Sequence, residues 1–337
     1  MSSERTLPDW IRAHGGPILS GRIRQSPQDF AVTEILGFEP DGMGEHDFLW
    51  LEKVNANTAW VARQLAAFAR IPIRDVGYSG MKDRRAVSRQ WFSVRRPAGE
   101  RADWSTLDIE GVRVLQCTRN SRKLRRGAHA GNYFCLVVRE IEGSVGRLDD
   151  VVAAIAKVGV PNYFGEQRFG RECRNLKLVE ALFSGKRMQR DKRSIGLSAA
   201  RSWIFNHVLQ QRVKDQSWSQ FQQGDVAILD GSNSIFAVDE IDDCLIQRCE
   251  QLDLHPSGPL WGKSGSGGQF ERDIAAHFAD LATGLEIHTK MSRRALRLAV
   301  REMKATPTDD TLKLEFYLAR GGFATAVLRE MVRYELG

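Results

Sequence analysis

Gly77-Tyr78-Ser79-Gly80-Met81-Lys82-Asp83-Arg84-Arg85-Ala86-Val87 sets one carboxylate among three cations, directly after two glycines. Lys82, Arg84 and Arg85 favour the ionised form of Asp83 by proximity, and Gly77 and Gly80 let backbone approach a substrate with no side chain in the way. A carboxylate kept ionised in this manner suits a nucleophile or a base. The same residues also fit a surface turn whose charges are simply solvated.

The elements around this loop must position it. Asn57 or Thr58 caps a helix carrying Val61, Leu65 and Phe68 on one face, and Pro72 turns the chain toward the glycines. Gln90-Trp91-Phe92-Ser93-Val94 reads as the strand that follows, so Asp83 is expected between a helix and a strand. Upstream, Ser26-Pro27-Gln28-Asp29 is a turn that puts Phe30 at the entrance of a strand, Phe30–Ile35. A basic run, Arg119, Arg122, Lys123, Arg125 and Arg126, leads through Gly131-Asn132 into the apolar strand Tyr133–Val138. As a flexible arm it suits phosphate contacts, and as a solvated loop it needs no partner.

Gly159-Val160-Pro161 breaks a helix bearing Leu148, Val151, Val152, Ile155 and Val158, and marks a domain boundary. Beyond it, Pro161–Gly170 interleaves Tyr163, Phe164 and Phe169 with Arg168 and glycines, which serves RNA stacking or simple core packing. Ser198 is placed to cap a helix with Ile204, Phe205, Val208 and Leu209, Asp225–Leu229 reads as a strand, and 259–269 reads as a mobile glycine- and serine-rich loop. Arg293, Arg297 and Arg301 recur every four residues beside Leu296, Val300 and Met303, a pattern that predicts an amphipathic helix with a cationic stripe, ended by Pro307. Leu312, Leu314, Phe316 and Leu318 alternate with polar residues as a strand, and Gly321-Gly322 puts Phe323 at the mouth of a final helix.

The 337 residues suffice for two domains, and the fold class expected is α+β. A net charge of +7 biases encounters toward polyanions such as nucleic acid. Five cysteines without a C-x-x-C pair, read as buried free thiols, and histidines without ligand spacing lead to an expectation of no metal and no cofactor. No apolar run reaches the length of a membrane span and the start carries no apolar signal segment, so a cytoplasmic protein without membrane contact is expected, with monomer as the default.

Several separated segments, taken together, resemble the tRNA pseudouridine synthase D family: Ser26–Phe30, Gly77–Arg84, Gly131–Phe134, Val160–Gly170, Leu197–Ser202 and Gly322–Glu330. They lie in order over nearly the whole chain. The resemblance implies a pseudouridine-synthase catalytic domain with a mixed or antiparallel sheet, residues 1–158 and 307–337, interrupted by an α/β insertion (TRUD) domain, residues 159–306. It implies that tRNA is the partner, nominally through uridine 13, with Asp83 as the catalytic carboxylate and Phe30, Asn132 and Phe323 as substrate-binding residues. Phe323 must then return to a site formed by the other three.

The chemistry is compatible with these residues. Uridine becomes pseudouridine when the N-glycosidic bond breaks, the uracil turns and a carbon–carbon bond re-forms, which calls for no redox carrier. Asp83 could attack the anomeric carbon or take a proton from the adjacent sugar carbon, and Lys82 or Arg84 could hold its orientation and charge. A non-catalytic RNA-binding protein shares the charge pattern but gives no reason for an aspartate in the cationic loop. A glycosidase-like hydrolase pairing Asp83 with Glu34 or Glu166 would release free uracil.

Overall fold

The computed structural model describes residues 5–96, 102–263 and 267–337. In chain order it forms β1 (Leu19–Ile23), β2 (Phe30–Leu36), β3 (His46–Val54), α1 (Thr58–Phe68), β4 (Val76–Tyr78), β5 (Val87–Arg95), β6 (Val112–Asn120), β7 (His129–Gly143) and α2 (Leu148–Val158). There follow β8 (Val160–Pro161), α3 (Glu166–Phe169), α4 (Arg174–Phe183), α5 (Arg190–Lys214), β9 (Val226–Leu229), β10 (Ile235–Ala237), α6 (Asp243–Glu250) and β11 (Leu254–Leu260). The last elements are α7 (Gln269–Ala276), α8 (Ala279–His288), β12 (Ser292–Ala295), β13 (Arg297–Leu298), β14 (Arg301–Pro307), β15 (Thr311–Ala319), α9 (Ala324–Met331) and β16 (Val332–Leu336).

Two compact units result. One contains Pro17–Val152, Val300–Gly322 and Val332–Gly337; the other contains the described part of Met1–Gly16 together with Ala153–Ala299 and Phe323–Met331. The first is built on a ten-stranded sheet with the order β14-β15-β7-β2-β5-β3-β6, to which β1, β16 and β4 attach. It is mixed: β2 runs parallel to β5 and β1 parallel to β16, while the other pairs are antiparallel.

Period-two patterning decides which face of that sheet is inside. Leu312, Leu314, Phe316 and Leu318 of β15 are fully buried, and the register sets Leu314 opposite Leu136 and Phe316 opposite Phe134 of β7. On the same principle Leu49 and Leu51 of β3 and Phe92 and Val94 of β5 meet Val61, Ala62 and Leu65 of α1. Each such side chain contributes about 1.5–3 kcal/mol by leaving water. Asn57 caps α1 by accepting from the amides of Ala59 and Trp60, which adds about 1 kcal/mol and fixes where the helix begins.

The second unit has its own core around α5, with Phe169, Trp203, Phe205 and Leu209, beside a four-stranded sheet of order β10-β9-β11-β12. Tyr163, Phe164 and Phe169 belong to this core, so the interleaved aromatic segment packs the interior.

At three places between residues 190 and 301 the secondary structure differs from the sequence reading. The helix expected from Arg293, Arg297 and Arg301 is instead β12, β13 and the start of β14. Burial explains it: Leu296, Arg297, Leu298, Ala299 and Val300 are consecutive buried residues, a run suited to a strand buried on both sides rather than to a helix face. Arg297 is no surface cation, since it donates to the Cys249 and Leu254 carbonyls and to His255 Nδ1. Arg293 lies 2.7 Å from Glu271. Ser198 does not cap a helix; α5 starts at Arg190, and the Ser198 hydroxyl instead accepts from Arg168 Nη1 at 2.7 Å. The mobile loop expected over 259–269 is divided, with Leu260 closing β11 and Gln269 opening α7, and residues 264–266 lie outside the described residues. All five cysteines are free, but Cys117 and Cys244 are exposed rather than buried.

Candidate active site

The Asp83 loop connects β4 to β5 and rests on the corner between β3 and α1. Thr58 Oγ1 accepts from the Lys82 amide at 3.0 Å and donates to Gln90 Oε1, while Gln90 Nε2 donates to the Gly80 carbonyl. Asn55, at a left-handed φ of 54°, accepts from Arg84 Nε through its carbonyl and donates its amide to the Ala86 carbonyl. Lys53 Nζ donates to the carbonyls of Ala56, at 2.8 Å, and of Asp83, at 3.2 Å. The loop backbone is therefore tied down while the Asp83 carboxylate stays 46% exposed.

That carboxylate carries a cation from a distant part of the chain. Arg24 Nη2 lies 2.5 Å from Asp83 Oδ2, and the guanidinium sits 3.9 Å from the centre of the Phe30 ring. A charge-assisted hydrogen bond on one side and an aromatic face on the other hold the arginine in one place. Phe30 is buried, edge-on to Phe134 at 6.3 Å. Its entry into β2 is set by the Ser26–Asp29 capping box, with Asp29 accepting from Arg139.

Lys82 and Arg84, the cations expected on Asp83, are engaged elsewhere. Lys82 Nζ lies 2.9 Å from Glu34 Oε2, a pair in which neither side chain is more than 6% exposed, and Arg84 reaches the Asn55 carbonyl. Burial raises the Glu34 carboxyl above its ordinary range, partly offset by Lys82 and by the Trp91 amide. Asn132 stands opposite Glu34 in the β2–β7 register, and its buried Oδ1 meets no donor among the described residues. Close by in sequence, His129 Nδ1 is 2.6 Å from the Ser79 hydroxyl; burial, then Lys82 and Arg320, push this imidazole down to about 4, so it is neutral near pH 7.

Gly77 serves internal packing rather than substrate approach, because a Cβ there would run into the Leu124 carbonyl and Ser93 Oγ. The basic run is partly fixed as well: Lys123 donates to the Arg74 carbonyl, Arg119 to that of Gly44, and Arg126 lies 3.8 Å over the Tyr78 ring. Phe323 is placed in the other unit, at the start of α9. It is 38% exposed, with Phe164 at 6.3 Å and the Arg294 guanidinium at 5.6 Å from its ring.

A family model described as tRNA pseudouridine synthase D (TruD) matches residues 12–189 and 184–331. The chain belongs to the tRNA pseudouridine synthase D family. It is 46% identical over 336 residues to the tRNA pseudouridine synthase D of Methylococcus capsulatus, covering 97% of this chain and 95% of that one. With the tRNA pseudouridine synthase D of Hydrogenovibrio crunogenus the identity is 40%, over 100% and 99% of the two chains. A solved Methanosarcina mazei structure assigned to tRNA pseudouridine synthase D shares the fold, with a TM-score of 0.72 over 95% of both chains at 20% identity.

Within this TruD family member, sequence reasoning missed Arg24 and Lys53, and read Thr58 only as a cap and Gln90 only as a strand residue, without their contacts to the Asp83 loop. Arg24 had a signal of its own, a cation at the end of a short alternating segment and two residues before the Ser26-Pro27 turn. Lys53 had another, a lone lysine at an inward position of a strand otherwise carrying Leu49 and Leu51 on that face.

Proposed function

We propose that this isomerase of the tRNA pseudouridine synthase D family converts a tRNA uridine, nominally uridine 13, to pseudouridine with Asp83 as the reacting carboxylate. One observation carries the reading: Asp83 is half-exposed, and its carboxylate is held at 2.5 Å by an arginine that is itself fixed against Phe30. Such a carboxylate is held in one orientation and open to a substrate, which is what attack on C1′ or proton removal from C2′ requires. In either route the N1–C1′ bond breaks, C5 bonds to C1′, C5 gives up its proton and N1 gains one.

The uridine must leave the RNA stack, and an aromatic face returns about 1–3 kcal/mol per stacked base. Phe323, with part of its ring exposed, is the stacking residue in this reading, whereas Phe30 contributes by backing Arg24. Asn132, whose buried Oδ1 awaits a donor, is suited to the N–H of a uracil edge. Lys82 and Arg84 support Asp83 through the loop rather than through its carboxylate. The catalytic domain in this proposal comprises 1–158 and 307–337, with 159–306 as the insertion, acting as a cytoplasmic monomer.

The test is Asp83→Asn assayed on a defined tRNA by chemical labelling of pseudouridine. Retained tRNA binding within a few-fold and no product are expected; turnover by the folded variant would refute the assignment. Released free uracil in the wild-type reaction would favour the hydrolase instead.

A further inference from the structure

Lys53 is fully buried in β3, and its ammonium lies at hydrogen-bonding distance from two main-chain carbonyls, Ala56 in the β3–α1 corner and Asp83 in the loop. A buried ammonium is costly to desolvate, and a methionine would occupy similar space without that cost. The charge is therefore unexplained by packing. What it does is join the backbone of Asp83 itself to a corner already fixed by the Asn57 cap and the Thr58 hydroxyl.

We propose that Lys53 is a positioning residue for the reaction at Asp83: its charged amine clamps the Asp83 carbonyl, and loss of that charge loosens the loop and lowers turnover. The inference rests on Asp83 being the reacting carboxylate. Carbonyls held by a charged donor are bound about twice as strongly as by a neutral one, so protonation state sets the strength of the clamp. The charged groups bearing on Lys53 are Asp83, which favours its protonated form, and Lys82, which opposes it. Behind them stand Arg24 on the Asp83 carboxylate, Glu34 on Lys82, and Arg84 on the Asn55 carbonyl.

Burial brings the Lys53 amine down from 10.5 to about 8. Activity is thus expected to fall as pH rises through about 8. The folding contribution has the opposite sign. Between about 8 and 10.5 the unfolded chain binds the proton that the folded chain has lost, so this group's contribution to stability rises with pH. An alkaline loss of rate without a loss of Tm separates the clamp from unfolding.

The experiment measures single-turnover pseudouridine formation by the full chain on a defined tRNA against pH, for the wild type, Lys53→Arg, Lys53→Met, Lys82→Arg and Asp83→Asn. Arginine stays charged, so Lys53→Arg should lack the alkaline fall near 8. Lys53→Met should lose about tenfold or more in rate with tRNA binding within about threefold, the signature of a group acting on the chemical step. Lys82→Arg should keep the alkaline midpoint. A wild-type rate flat through 8, a midpoint that moves with Lys82→Arg, or a Lys53→Met variant as fast as wild type would overturn the proposal. If Lys53→Met fails to fold, the wild-type and Lys53→Arg profiles still decide. An active Asp83→Asn variant sinks the reading of Asp83, whereas an inactive one beside an unimpaired Lys53→Met sinks the clamp alone.

Discussion

Arg24 and Asp83, 59 residues apart in the chain, meet at 2.5 Å, and the arginine has no freedom to leave because Phe30 lies against its other face. Removing the guanidinium should therefore cost turnover rather than folding. Arg24→Gln is expected to lower the single-turnover rate by about 10²-fold, the scale of a lost charge-assisted contact at a reacting group, with a change in Tm of only a few degrees. Phe30→Leu should show a smaller loss of the same kind, because the arginine then loses its backing but keeps its charge. A normal rate in Arg24→Gln would mean that the ion pair is incidental.

Glu34 and Lys82 form a buried pair, and its energetics differ from those of a surface ion pair. Glu34→Gln alone and Lys82→Met alone should each destabilise by about 3–5 kcal/mol, because each leaves a buried charge without its partner. The double variant is expected to recover much of that loss, which denaturant unfolding of all four proteins in a double-mutant cycle would measure. Additive losses would show that the two side chains do not act as a pair.

The same two regions show how far the sequence could be read. Asp83 stood out because three cations and two glycines flank it within a few residues, and Leu312–Leu318 stood out because strict alternation over a strand is a local pattern. Arg24, Lys53 and Gln90 have no such neighbours. They reach the loop because β3 lies beside β5, and because β1 and β2 sit next to β7, pairings set by sheet register rather than by adjacent residues. Arg293, Arg297 and Arg301 have helical spacing, but the partners of Arg293, on Glu271, and of Arg297, on the carbonyls of Cys249 and Leu254, lie far off in the sequence, so local spacing does not reveal them.

Burial pushes His129 and His207 down to about 4 from 6.5. The unfolded chain therefore takes up protons between about 6.5 and 4 that the folded chain refuses, so stability must decline as pH falls through that window. Tm measured against pH should show the decline, and His129→Asn should make it shallower. An unchanged slope in that variant would place the proton uptake elsewhere.

Gly77 connects the packing of β4 to the geometry of the Asp83 loop. Its Cα hydrogen points where a Cβ would strike the Leu124 carbonyl and Ser93 Oγ, and both are held: Ser93 Oγ accepts from the Leu124 amide at 3.0 Å. The Leu124 carbonyl is main chain and Ser93 Oγ is held by that hydrogen bond, so Gly77→Ala must push β4 away from β5 or displace the turn that follows β6. The cost expected is about 1–3 kcal/mol, the usual range for an overpacked interior. Because the Asp83 loop starts one residue beyond β4, the rate should fall by more than the fraction of protein unfolded. Comparing specific activity with the folded fraction at the same temperature makes the distinction, and equal losses would show that the loop is held by the β3–α1 corner alone.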